Sequence, residues 1–426
     1  MIWVVITLFL VLGVLGMPLA FALGLASVTA LYLLDFELVA MPQRMMHAVD
    51  SFPLMAIPLF MLAGELMLRA GIMDRLIAFA NSLVGRVHGG LAHVTILSGT
   101  IFASVSGAAV ASASAMGGTL VPSLRKYYPD AYAGALVASA ANLGPVIPPS
   151  NAMIVYALMA GSSVSVGGLF MAGIVPGILL AVGFMVIATW ISIRRGHALT
   201  GEAFSIRNAF HHGRRAIAVI LMPVIVVGGI VGGVFTPTEG AAIAVMYSAV
   251  VGFFVTGRLK LSDLPGCLYR AAVTSAMVGA LMAFAATVTF VFTVEMVPLA
   301  LSEWIQGMTR DPMTYILLTM VLLVFVGMLI ESNAAYIMLV PLFAPVAVAY
   351  GIDPLYFGFL FMYNLVIGMM TPPVGVLFFV MSGITRVPIM SLVHASMPFV
   401  LFQVLVLILC IVFPPLVTWL PRTLGF

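Results

Sequence analysis

Two Pro-Pro pairs lie inside apolar sequence, and the residues beside them have chemistry to offer. Pro148-Pro149 falls within the stretch 142–151 and Pro372-Pro373 within 364–375. A proline has no N–H and its ring clashes with the preceding turn, so a regular helix does not run through either pair. In a bilayer, backbone released this way is tolerated only where it is buried in protein or lines a cavity. Released carbonyls can hold a hard cation, and the start of the next helix carries a partial positive charge that can hold a carboxylate. On this reading Pro148, Pro149, Ser150, Asn151, Thr371, Pro372 and Gly375 receive an acidic solute. Asn142, Gly144, Gly368 and Thr371 offer oxygen to a cation. Thr371-Pro372 has the layout of an N-cap followed by proline at the first helical position. The competing reading is a kinked structural helix, for which a single proline would suffice.

Two further polar clusters interrupt apolar runs. Ser104, Ser106 and Gly107 stand in the middle of 92–122, and Glu331, Ser332 and Asn333 in the middle of 313–349. Each half of these runs is shorter than the roughly 20 residues a spanning helix needs. Both runs are therefore expected to be re-entrant hairpins that enter and leave on one face. A helix pair ending inside the membrane leaves backbone groups unpaired at its tip. The six tip residues either cap their own helices or help to coordinate a cation, read here as Na+. Glu331 is a carboxylate at membrane depth, which is costly and usually functional. It binds the cation, carries a proton or pairs with N–H groups of its hairpin, and the sequence does not separate these. Thr236-Pro237-Thr238-Glu239 reads as a capping box rather than a binding site. Glu65, near the cytoplasmic end of its span, is open to both readings.

Other chemistries lack their residues. All seven histidines (47, 88, 93, 197, 211, 212 and 394) fall near segment ends or in loops. No catalytic pair stands at depth, no Cys/His cluster has metal-ligand spacing and no phosphate-binding loop is present. An intramembrane enzyme or an ATP-driven pump is therefore not expected. Cys267 and Cys410 read as core or lipid-facing residues. No Lys or Arg is expected at the midplane, so an acidic solute must be held by helix ends, hydroxyls, amides or a co-bound cation.

The elements that position these groups follow from composition. The chain is 426 residues long, 63% hydrophobic and 7% charged. That is an all-α polytopic membrane protein surrounded by lipid, and its net charge of +3 is too small and dispersed for a nucleic-acid partner. Residues 2–34 form one kinked helix or two short ones, and the first span is expected to stay uncleaved. Further segments are expected at 52–68, 92–122, 131–160, 167–193, 216–235, 238–257, 271–294, 313–349, 355–384 and 391–420. If the loop at 194–215 is cytoplasmic, every basic residue but Arg44, Arg310 and Arg422 falls on that side, as the positive-inside rule requires. The map also contains an inverted repeat. Hairpin, loop and broken helix occur once over 99–161 and again over 327–383, the hairpins opening to opposite faces. Matched interrupted segments in two halves point to a transporter with its site at the repeat interface. A passive channel fits this layout less well.

The residues from Ser51-Phe52-Pro53 to Ala63-Gly64-Glu65 resemble the large membrane subunit of tripartite ATP-independent periplasmic (TRAP) transporters. So do Pro145-Val146-Ile147-Pro148-Pro149-Ser150, the run from Thr236 to Ala242, Asn364-Leu365, and Thr371-Pro372-Pro373-Val374-Gly375. The resemblance spans essentially the whole chain. It implies import of a small organic acid across the bacterial inner membrane, usually Na+-driven, with no cofactor. It implies two partners: a periplasmic substrate-binding protein and a separate small membrane subunit of about four helices. It further implies an elevator, in which a transport domain slides against a scaffold. On that mapping 91–161 and 313–384 are transport repeats. Residues 1–90 form scaffold spans and an arm, 162–312 scaffold spans and connector, and 385–426 a C-terminal span. A stand-alone ion-coupled symporter of the same fold is the alternative.

Overall fold

The structure, a computed structural model, describes residues 2–197, 199 and 204–426. No strand occurs among them, and eight helices are long and apolar enough to cross a membrane. The question left open at the N-terminus is settled as two helices, α1 (Ile2–Val14) and α2 (Leu19–Leu33), lying side by side. Gly16 turns the chain at φ 86, and the Met17 N–H reaches back to the Leu12 carbonyl at 3.0 Å. A left-handed glycine with such a bond is a common helix stop.

α3 (Ala40–Val49), α4 (Ala56–Arg69) and α5 (Ile72–Val84) lead to the first hairpin, α6 (Gly90–Ser106) and α7 (Ala109–Leu124). The first broken helix is α8 (Asp130–Ala141) and α9 (Asn151–Ala160), followed by the long span α10 (Val166–Arg194). The second half repeats the order: α11 (Ile206–Val231), α12 (Pro237–Val250, continued by a wider turn to Val255), α13 (Leu264–Val294) and the short α14 (Val297–Met308). The second hairpin is α15 (Pro312–Leu329) and α16 (Ser332–Ala349), the second broken helix α17 (Pro354–Gly368) and α18 (Val376–Thr385). The chain continues into α19 (Ile389–Val412) and α20 (Pro415–Thr423). The expected single segment 391–420 thus ends early, because Pro414 and Pro415 follow Phe413 and stop the helix.

The repeat is wider than the hairpin and broken helix alone. α1, α2, α4 and α5 are matched in order by α11 to α14, and α10 by α19. Packing follows the same exchange: α4 lies on α12 as α2 lies on α13. The outgoing arm of each hairpin packs on the terminal half-helix of the other repeat, α7 on α18 and α16 on α9.

Ion pairs support the charge partition. Arg69–Asp263 (2.9 Å), Arg270–Glu65 (2.7 Å) and Arg258–Asp74 join residues assigned to the cytoplasmic face. Arg75 donates to the Arg215 and Val255 carbonyls, and Arg125 to that of Thr385. Arg422 meets Asp353 at 3.3 Å at the other end of the bundle. Such exposed pairs add little stability, but they report which ends lie together.

Among the described residues the twelve largest fully buried side chains, including Tyr132, Tyr156, Tyr315, Tyr336 and Tyr363, all belong to α6, α8–α10 and α15–α18. The best-packed core is therefore the repeat unit. α10 contributes Phe170 and Phe184 to that core, and both α10 and α19 pack against the repeat unit. A Cβ on Gly177 of α10 would stand 2.6 Å from Ile147 of the first break. α19 packs on both α8 and α17.

Candidate functional site

Each hairpin meets its own broken helix through glycines that leave no room for a side chain. Gly107 ends α6 in the left-handed region, φ 63, and its N–H returns to the Ala103 carbonyl at 2.8 Å. A Cβ there would lie 3.1 Å from the Asn151 nitrogen and 3.3 Å from the Pro149 oxygen. The first tip thus sits directly on the first break. One at Gly144 would lie 3.3 Å from Ala103, one turn before the tip. In the second half, a Cβ on Gly368 would come within 2.5 Å of the Gly327 carbonyl carbon, so α15 and α17 touch backbone to backbone.

The first break, 142–150, is almost wholly buried, and both Pro-Pro bonds are cis. Ser150 is the N-cap of α9: its hydroxyl donates to the Pro145 carbonyl (2.7 Å) and accepts from the Met153 N–H (3.5 Å). Asn151 opens α9 with its side-chain Nδ2 buried and unpartnered. At the second break the expected N-cap at Thr371 is not formed. α18 starts later, at Val376, behind Gly375 with φ 57, and the Thr371 hydroxyl instead donates to Ile367 of the preceding helix (2.8 Å). The Thr-Pro pattern misleads here because a glycine in the left-handed region, four residues on, sets where a helix can resume. Pro372 and Pro373 are exposed, so the two breaks are unequal in access.

At the hairpin tips, the Ser104 hydroxyl donates to the Ile101 carbonyl (2.8 Å) within its own helix. Ser106 lies against α4, where a Cβ on Gly64 would be 3.5 Å from its Cα. Glu331 is the N-cap of α16. It accepts from the Asn333 N–H (3.0 Å), the Ala334 N–H (3.3 Å) and the Asn333 amide (2.9 Å), so both its oxygens serve the second tip. Ser332 is buried behind it. The capping box at Thr236 and Glu239 is formed as read, and Glu65 pairs with Arg270.

One contact joins the breaks. The Asn142 side chain donates to the Val366 carbonyl and to Gln403 Oε1, both at 3.0 Å. Asn142 Oδ1 is left buried without a partner, as is Oδ1 of Asn364, its counterpart in the second half. Unpaired buried carbonyl oxygens are costly and are the donor type a hard cation takes. Among the described residues no group of His, Cys, Asp and Glu could hold a transition metal. Sequence reasoning missed Gln403. Its signal was available: a lone amide in the middle of the apolar helix Ile389–Val412.

Two hairpins seated on two broken helices that Asn142 joins, in a chain with eight helices apolar enough to cross a membrane among its described residues, have the layout of a membrane transporter. The sequence matches the family described as "Tripartite ATP-independent periplasmic transporter, DctM component" over residues 6–416, and the chain belongs to that family. It is 37% identical to the sialic acid TRAP transporter large permease protein SiaM of Vibrio cholerae, covering 96% of each chain. It is 35% identical to the C4-dicarboxylate TRAP transporter large permease protein DctM of Pseudomonas aeruginosa, covering 95% of this chain and 94% of that one. Among solved structures, the YdaH transporter of Alcanivorax borkumensis shares the fold, with a TM-score of 0.63 at 18% identity over 87% of this chain and 88% of that one. The protein is thus a multi-pass TRAP large permease.

Proposed function

We propose that this permease imports a small organic acid across the bacterial inner membrane together with Na+, receiving the solute from a periplasmic binding protein and working beside a small membrane subunit. The observation that carries this reading is the Asn142–Val366 contact, which joins the two broken helices and leaves the Asn142 oxygen buried and unpaired. The similar proteins named for sialic acid, C4-dicarboxylates and isethionate all concern acids. Here the acid is held by the starts of α9 and α18, with Asn151 and the Thr371–Gly375 backbone beside it. Na+ lies against Asn142 Oδ1 and the hairpin tips. The repeat unit α6–α10 with α15–α19 moves as one body against α1–α5 and α11–α14, in keeping with the concentration of the largest buried side chains in that unit. Uptake into proteoliposomes tests this: it requires outside Na+, the small subunit and the loaded binding protein. Uptake that needs Na+ but neither partner would instead indicate a stand-alone symporter, and uptake indifferent to all three would reject the reading.

A further inference from the structure

Gln403 lies in neither hairpin nor break, yet it touches both halves of the site. Asn142 fixes the direction of the chain of contacts. The Val366 carbonyl can only accept, so the group 3.0 Å from it must be the Asn142 nitrogen. The second hydrogen of that nitrogen goes to Gln403 Oε1. Gln403 must therefore turn its oxygen to Asn142, and its nitrogen then faces the Met370 sulfur, 3.7 Å away in the second break. Tyr363 holds the Gln403 backbone by donating to its carbonyl at 2.8 Å. Asn142 and Gln403 are each 2% exposed and Met370 1%. No solvent competes for these groups.

This clasp exists once. Asn364, the counterpart of Asn142, donates to the Met320 carbonyl within its own half. α10, the counterpart of α19, presents glycine to the first break at Gly177. An asymmetric amide inside a two-fold layout calls for a purpose other than packing.

We propose that Gln403 is a positioning residue. It holds the Asn142 amide with Oδ1 toward the coupling cation and ties that orientation to the second break. If the Asn142 amide turned over, it would set oxygen against the Val366 oxygen and offer N–H to a cation. The acceptor on Gln403 opposes that turn. The inference rests on the Na+-coupled reading above.

The test compares Gln403→Met, which keeps length but loses the acceptor, with Gln403→Glu, which keeps an acceptor for Asn142. Na+ half-saturation is read from uptake and from the Na+-dependent rise in unfolding temperature of the purified protein. Loss of one oriented contact is expected to raise half-saturation about tenfold in Gln403→Met, with substrate KM at saturating Na+ little changed. Gln403→Glu stays near wild type. A folded Gln403→Met variant with wild-type half-saturation overturns the inference. So does an equal shift in the Met and Glu variants. A wild-type protein without any Na+ response rejects the coupling itself, a separate outcome.

Discussion

Glu331 shows how a carboxylate is kept at depth. Three donors from the first turn of α16 surround it, so the charge is matched locally by a helix start. Glu331→Ala should cost about 1 kcal/mol of stability in thermal unfolding, as lost caps do. Glu331→Gln, which keeps an acceptor, should cost less. A Gln variant that melts like wild type yet loses its Na+ response would assign the carboxylate to the cation instead. Gly107→Ala is expected to be worse than its size suggests. Its φ of 63 disfavours any Cβ, and the Asn151 nitrogen is only 3.1 Å from where that Cβ would stand. A loss of about 1–2 kcal/mol from backbone strain is expected, with uptake falling further because the tip is pushed off the break. At this scale the sequence was informative about residue type but not orientation. Ser150 and Asn142 were legible as polar groups at a break. Ser150 is occupied by groups within five residues of it, whereas which end of the Asn142 amide is left open depends on Val366 and Gln403, distant in sequence.

Breaks and hairpins were legible because proline and mid-segment polar residues cannot be accommodated in a continuous span, whatever the tertiary context. The start of α18 was not, since Pro372 could open a helix and only the Gly375 backbone shows that it does not. The contacts of α10 and α19 with the first break were equally hidden: their glycines and lone amide resemble ordinary membrane-helix composition until Ile147 and Asn142 are found against them. The cytoplasmic end of α10 carries a further consequence. His197 packs edge-on against Tyr128 at 4.9 Å, beside Tyr132, and its imidazole pKa is lowered by burial and by nearby Arg195. The neutral ring is thus favoured in the folded state. Its contribution is fully present above the ordinary histidine value of about 6.5 and is lost as pH falls from there through the depressed value. Thermal unfolding at pH 7.5 and 5.5 should show the loss, and His197→Asn should reduce the difference between the two.

On the proposed function the repeat unit slides against the surrounding helices, and the two parts touch where Gly64 of α4 faces Ser106 of the first tip. If the two bodies slide, Gly64→Cys with Ser106→Cys should form a bridge that stops uptake, and reductant should restore it. A bridge within the repeat unit, Gly117→Cys with Ile384→Cys, should leave transport largely intact, since those positions already touch. Cys267 and Cys410 are both buried and should not interfere. Equal inhibition by both bridges would argue against relative sliding. Neither break, 142–151 or 364–376, contains an arginine or lysine. On the proposed function, an anionic passenger crossing there would be neutralised only by the ions that travel with it. Membrane voltage should then act on the cycle through any surplus of those ions, and the current per solute imported should reveal their number.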